Sequence, residues 1–375
     1  MKLLFILYTT GRCNLRCRYC GGSFDPRIVP WKVEYDLKLF EEIFREGDSI
    51  AFYGGEPLLN TRFIEEVVER FDAEHYIIQT NGLLLSKLSS KTLRKIDAIL
   101  VSIDGDKART DKNRGRGVYD KVLEEIRKLR GTGFGGDLIA RMTVTEDSNI
   151  YKDVKHLLNL NLFDHIHWQL SMIWVERETW RDLWGWINNS YKPGLAKLFD
   201  EWLSNLESGR ILGVAPFQGV LKRSLYGGAY PPCGAGIDSF AVLTDGRITS
   251  CPIAVHEKWA EIGRLGEISR KDLEGRKPIV MEPCKSCKYL RICGTRCLYT
   301  HVERLWGEEG MKAVCECSKY LINLVESSLK RIKEALSRTT YGLGDLTYPK
   351  FNNTVEIMPE TIKLIPSRFL GIHLP

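Results

Sequence analysis

Six short apolar runs, rich in β-branched residues, punctuate the first half of the chain: Leu3–Thr10, Ser49–Tyr53, His75–Thr80, Ala98–Ile103, Leu138–Thr145 and His165–Met172. They are close to continuous in hydrophobicity, and several end near Gly, Asp or Asn, as buried parallel strands do. Between them lie Tyr35–Glu46, Arg62–Phe71, Val118–Leu129 and Ile150–Leu158, whose apolar residues recur at three- and four-residue spacing and predict amphipathic helices. Six strand–helix units with right-handed crossovers predict an α/β fold with a parallel sheet, twisted or partly closed into a barrel. Ligands of such folds bind beyond the C-terminal strand ends. The loops that begin near Gly11, Gly54, Asn81, Asp104, Glu146 and Ile173 therefore share one face.

The pattern then changes. A Trp-rich stretch runs from Trp168 to Trp186, a helix is expected around Leu195–Leu206, and the periodicity loosens at Gly209 and Pro216. Val242–Thr249 carries Asp245-Gly246 between apolar residues, the signal of a β-hairpin. A final helix is expected over Ser318–Ala335, and residues 337–375 are polar, proline-interrupted and without period. No internal repeat or low-complexity tract occurs.

Composition narrows the function classes. The chain has 375 residues, enough for two or three domains, and 43% apolar and 27% charged residues, as in a soluble globular protein. A net charge of +6 is too mild to argue for nucleic acid or a membrane surface. No apolar run reaches a membrane span, and Leu3–Tyr8 is too short for the core of a signal peptide. A cytoplasmic protein is expected.

The eleven cysteines change the picture most. Three lie at Cys13, Cys17 and Cys20, and the other eight fall between Cys233 and Cys317. Such grouping suggests metal ligation at two ends of an intracellular protein. Cys13-Asn-Leu-Arg-Cys17-Arg-Tyr-Cys20 directly follows the first strand. Three thiolates on one loop can hold three irons of a [4Fe–4S] cluster and leave the fourth open, or form part of a zinc site completed elsewhere. Their position on the ligand face favours the cluster.

This motif, with aromatic Tyr19, resembles the signature of radical S-adenosylmethionine (SAM) enzymes. Gly54-Gly55-Glu56-Pro57 after the second strand resembles the family's GGEP motif, which receives the methionine amino group. Paired glycines allow close backbone approach, and a carboxylate suits an ammonium. Thr80-Asn81-Gly82 ends the third strand. Ser102 and Asp104, in Val101–Gly105, resemble the segment that contacts ribose and carboxylate, and Arg141 resembles the arginine that pairs with the SAM carboxylate. The resemblance covers residues 1 to about 175 and implies a partial (β/α)6 TIM-type barrel. It also implies that a reduced cluster cleaves SAM to a 5′-deoxyadenosyl radical, which removes a hydrogen atom from substrate, with Tyr19 near the adenine.

The second cysteine group reads Cys233-x12-Gly246-x4-Cys251, Cys284-x2-Cys287-x5-Cys293-x3-Cys297, then Cys315 and Cys317. It resembles the SPASM extension with two auxiliary iron–sulfur clusters, expected to be [4Fe–4S]; structural zinc ribbons are the alternative on spacing alone. Carried over, Cys284, Cys287, Cys293 and Cys315 hold one cluster. Cys233, Cys251 and Cys297 hold the other, with either Cys317 as fourth ligand or an open iron. The auxiliary clusters are expected to return an electron or to ligate substrate. The expected organisation is a radical SAM barrel with linking helix over 1–215, a small SPASM domain with a β-hairpin and helices over 216–336, and a tail over 337–375.

SPASM proteins mostly modify peptides or proteins, so a peptide side chain is the expected substrate, with an external donor such as a ferredoxin or flavodoxin. In sulfatase-maturing relatives an aspartate follows the cysteine of G-x4-C, whereas Pro252 follows Cys251 here, which disfavours formylglycine formation. The chain opens on its first strand and its last 39 residues are too few for a peptide-recognition domain, so a leader peptide is expected to need a separate partner or a groove. Trp168, Trp174, Glu176 and Trp180 are candidates for that groove, although aromatic residues so spaced are more often core. The alternatives are a radical SAM enzyme acting on a small molecule in cofactor or haem synthesis and, last, a zinc-binding protein without activity.

Overall fold

The computed structural model describes residues 1–339, except Ile173, Trp174 and Ala229, and the backbone of 351–353 and 356–357. Contacts group the chain into two compact units. Among the described residues, the first draws on Met1–Met142 and Cys233–Pro278, and the second on Thr143–Pro232 and the stretch from Ile279 to Thr339. The grouping is interleaved along the chain.

Strands β1 (Leu4–Thr10), β2 (Ser49–Gly54), β3 (His75–Thr80), β4 (Ala98–Ser102) and β5 (Asp137–Val144) lie in parallel succession. Phe5, Ile6, Leu7, Ile50, Phe52, Ile77, Ile99 and Leu100 are all fully buried, which explains why the strands read as unbroken apolar runs. On the other side of β1 the sheet continues with β7 (Ser239–Val242), parallel to it, then antiparallel β8 (Arg247–Thr249) and β9 (Glu261–Arg264). The expected hairpin is β7–β8, turning at Asp245-Gly246. Its attachment to β1, with Leu4 facing Ser239, is a long-range pairing that local pattern does not reveal.

Helices Thr61–Arg70 and Val118–Gly131 bury the apolar stripes expected of them. The segment 35–46 does not form the long helix its apolar spacing predicts, because the helix spans only Leu37–Glu41. Asp48 is the reason: its carboxylate accepts from the Arg45 and Leu3 backbone N–H groups, so the chain turns off into β2.

In the second unit, β6 (His165–Leu170) is followed by helices Lys192–Glu207 and Ala215–Tyr226. The expected terminal helix is two helices, Gly307–Ser327 and Leu329–Leu336, separated at Ser328. Trp168 and Trp180 are buried, Trp168 donating to the Tyr191 hydroxyl at 3.3 Å and Trp180 packing edge-on against Trp186 at 4.9 Å. These two tryptophans are therefore core rather than groove lining. Glu176 is exposed, and Trp174 lies outside the described residues. Among the described residues, no helix is long and apolar enough to cross a membrane.

Candidate active site

Cys13, Cys17 and Cys20 occupy the loop that leaves β1, and backbone contacts hold that loop tightly. Phe24 N–H donates to Gly11 O at 2.8 Å, Gly11 N–H to Pro30 O at 3.2 Å, and Cys13 N–H to Ser23 Oγ at 2.9 Å. The three thiols lie close enough that an ionised Cys13 or Cys20 would raise Cys17 electrostatically. Burial pushes Cys17 up to about 11, and the Arg114 guanidinium opposes that shift by favouring the thiolate. Among the described residues, no three His, Cys, Asp or Glu side chains converge as a single-ion site requires. A four-iron cube takes its thiolates at separate irons, which is a different demand. The donor chemistry of three grouped thiols beside a cation suits such a cluster.

The GGEP segment is pinned against this loop. Gly55 N–H donates to Thr10 O at 3.0 Å and Glu56 N–H to Arg12 O at 2.8 Å. A Cβ on Gly55 would lie 2.2 Å from Arg12 O, and one on Gly54, at φ +126°, would lie 2.3 Å from Thr10 O. The glycines thus permit close approach of two backbone segments of the site. Glu56 is fully buried; its carboxylate accepts from Leu58 N–H at 3.0 Å, Thr80 Oγ1 at 2.7 Å and Asn81 N–H at 2.7 Å. Burial raises its carboxyl to about 7 against those hydrogen bonds. Pro57 is buried at the start of a 3-10 turn, and its carbonyl accepts from Thr9 Oγ1 at 3.0 Å. Asn81 in turn donates to the Asn14 side chain on the cysteine loop at 2.7 Å. Three strand ends are thereby tied into one frame.

Ser102 is half-buried at the end of β4, and its register partner on β5 is Arg141. Asp104 lies differently from the expected sugar-facing acid. It is fully buried, accepting from Arg114 through both carboxylate oxygens (2.8 and 3.1 Å), from Asn113 at 3.0 Å and from the Tyr19 hydroxyl at 2.8 Å. Tyr19 accordingly points at Asp104, with Arg114 over its ring at 5.5 Å. Sequence reasoning passed over Asn14, Asn113 and Arg114. The last two sit on helix Lys107–Arg114, whose polar composition offers no apolar period.

Cys251 is buried in the first unit, near Tyr8 and Tyr53, whose rings pack edge-on at 5.4 Å. The Tyr8 hydroxyl donates to the carbonyl of Pro252. Burial raises the Tyr53 phenol to about 12, and Arg141 counteracts this. Cys233 belongs to the same unit, while Cys297 and Cys317 belong to the second.

Also in the second unit, burial raises the Cys284 thiol, with Cys315 and Cys287 adding to the rise, and burial likewise raises Cys293, with Cys315 and Cys284 adding to it. Between Cys293 and Cys297 the backbone runs through Gly294 (φ +57°), Thr295 (φ +65°) and Arg296 (φ +65°). Non-glycine residues rarely accept that conformation, and its cost is of the order of 1 kcal/mol or more each. The turn sets Arg296 beside Cys293, Cys297 and Cys317, where its charge lowers each thiol against the upward pull of burial.

Residues 7–181 match the model of the Radical SAM superfamily. The chain carries a radical SAM domain, and its reaction class is that of a radical SAM enzyme. It is 27% identical over 341 residues to the cysteine-type anaerobic sulfatase-maturating enzyme of Clostridium perfringens, covering 78% of this chain and 88% of that protein. A solved structure of histidine-tagged anSMEcpe with bound AdoMet shares the fold at a TM-score of 0.68 and 20% identity, covering 92% of this chain and 98% of the other. A second, native anSMEcpe with bound AdoMet and Cp18Cys peptide, gives 0.66 at 21% identity, covering 89% and 99%. The fold is therefore the α/β partial barrel of radical SAM enzymes, with a cysteine-rich C-terminal part.

Proposed function

We propose that this protein uses its radical SAM domain to modify a side chain of a peptide or protein. The observation that carries the reading is the likeness over 341 residues to an enzyme named for maturating sulfatases, which extends well beyond the domain match at 7–181. The structural neighbour described with a bound Cp18Cys peptide supports the same substrate class.

In this reading Cys13, Cys17 and Cys20 hold a [4Fe–4S] cluster with one open corner. Gly54, Gly55, Glu56, Pro57, Thr80, Asn81, Ser102 and Arg141 frame SAM. Together, when bound, cluster and SAM supply one-electron reductive cleavage and a 5′-deoxyadenosyl radical that takes a hydrogen atom from an unreactive C–H bond. The protein's residues bind and orient. Arg141 places a buried positive charge on β5, in register with Ser102 at the end of β4, and is suited to a carboxylate. Glu56 and Asn81 lock the glycine loop to the cysteine loop, so the groups that receive SAM move with the thiols.

Cys284, Cys287, Cys293 and Cys315 would hold one auxiliary cluster. Cys233, Cys251 and Cys297 would hold the other, with Cys317 as fourth ligand or a corner left open for substrate. A cytoplasmic setting, an external ferredoxin or flavodoxin and a separate leader-binding protein complete the proposal; eleven free thiols suit a reducing compartment. Pro252 follows Cys251, and its carbonyl accepts from the Tyr8 hydroxyl. Co-expression with a short Cys- or Thr-rich peptide encoded beside it tests the substrate class. A mass change that requires Cys13, Cys17 and Cys20 is expected, whereas turnover of a small molecule with every such peptide unmodified would contradict it. A sulfatase-derived cysteine peptide should give no aldehyde.

A further inference from the structure

Asp104 sits at the end of β4 where sequence resemblance places a SAM contact, yet its surroundings describe another task. We propose that Asp104, Asn113 and Arg114 form a clamp that grips Tyr19 and so positions the cysteine loop, with Asp104 making no contact to the ribose of SAM. The proposal rests on the reading that Cys13, Cys17 and Cys20 hold the cluster.

Four donor groups already converge on the carboxylate: Tyr19 Oη at 2.8 Å, Asn113 Nδ2 at 3.0 Å, Arg114 Nε at 3.1 Å and Arg114 Nη2 at 2.8 Å. A carboxylate offers about four lone-pair sites, and three of these donors share one oxygen. Asp104 is 0% exposed and Arg114 6%, so neither charge reaches solvent. A buried ion pair with a bidentate fork is rigid, and losing one partner leaves the other charge uncompensated.

The clamp reaches the loop twice more. Arg114 lies over the Tyr19 ring at 5.5 Å, and Arg18 N–H donates to Asn113 O at 2.9 Å. Arg18 and Tyr19 lie between Cys17 and Cys20, so both segment ends are fixed by one helix terminus. That helix starts with Asp106 accepting from Arg109 N–H, and Thr110 Oγ1 accepts from Asp104 N–H at 3.2 Å. Strand end, helix and cysteine loop therefore move together. Arg114 is also the cation nearest in effect to Cys17, where positive charge stabilises added negative charge on a neighbouring cluster. Arg114 is thus a positioning residue with an electrostatic signature.

The experiment uses the full chain, reconstituted anaerobically, in wild-type, Asp104→Asn, Arg114→Lys and Tyr19→Phe forms. Iron retained after gel filtration, the midpoint potential of the SAM-responsive EPR signal and the SAM dissociation constant are measured for each. The clamp predicts that Asp104→Asn and Tyr19→Phe lose iron from the first site or shift its potential, while the cluster-bearing fraction binds SAM within about threefold of wild type. Arg114→Lys, which keeps charge without the fork, should retain potential better than it retains iron. The opposite result overturns the clamp: iron and potential unchanged with SAM affinity down about tenfold or more in Asp104→Asn. If that variant does not fold, Tyr19→Phe, lacking one hydroxyl, decides by the same two readouts. Absence of any SAM-responsive iron in the wild type would instead remove the cluster reading itself.

Discussion

Glu56 is a residue on which burial and hydrogen bonding pull in opposite directions. Burial dominates and raises its carboxyl from an ordinary value of 4.5 to about 7. Because the folded value is the higher, protonation favours the folded chain: the contribution is complete below about 4.5 and is lost as pH rises through about 7. Glu56→Gln cannot ionise. Urea unfolding of the metal-free protein should show wild type losing ~3 kcal/mol relative to that variant between pH 4.5 and 8; parallel curves would refute this. Gly55→Ala tests the neighbouring contact. With Arg12 O only 2.2 Å from the added Cβ, the two loops must separate, and iron bound at the first site should fall. The glycine pair was legible in the sequence because a close approach demands it locally, and the cysteines because of their spacing on one loop. Asn14, Asn113 and Arg114 were not, since a polar side chain carries no sign of which buried acid or amide it will meet.

Elements were legible in proportion to how continuous their burial is. The expected His75–Thr80 strand is β3 itself, and Val118–Leu129 falls within helix Val118–Gly131. Helix Lys107–Arg114 escaped because it buries only Thr110, Asn113 and Arg114, all polar. Its N-cap is nonetheless explicit: Asp106 accepts from Arg109 N–H at 2.8 Å. Asp106→Ala should cost about 1 kcal/mol in urea unfolding. Because the same helix ends in the Asp104 clamp, the variant should also retain less iron at the first site, whereas a surface change such as Lys112→Ala should not.

At the scale of the whole molecule, pairings distant in sequence decide what local pattern cannot. The β7–β9 segment joins the sheet of the first unit through β1, and Arg270 fastens that segment to the N-terminal strand ends. It is 9% exposed, binds both oxygens of the 1% exposed Asp48 and donates to Ile43 O and Met1 O. Arg270→Ala leaves Asp48 buried and uncompensated, a change worth roughly 3–5 kcal/mol, visible as a lower Tm. Asp48 lies at the start of β2, whereas the candidate site lies beyond the strands' C-terminal ends, so the SAM affinity of the folded fraction should stay near wild type.

The central claim is that the first three cysteines hold a redox-active cluster at which SAM is cleaved. Anaerobic reconstitution, followed by metal analysis and assay of 5′-deoxyadenosine with and without reductant, addresses it most directly. Wild type should carry iron at three clusters and form 5′-deoxyadenosine only with reductant, while the Cys13, Cys17 and Cys20→Ala variant should lose that product yet keep the iron of the auxiliary sites. Near-stoichiometric zinc, no iron and no 5′-deoxyadenosine would contradict the account.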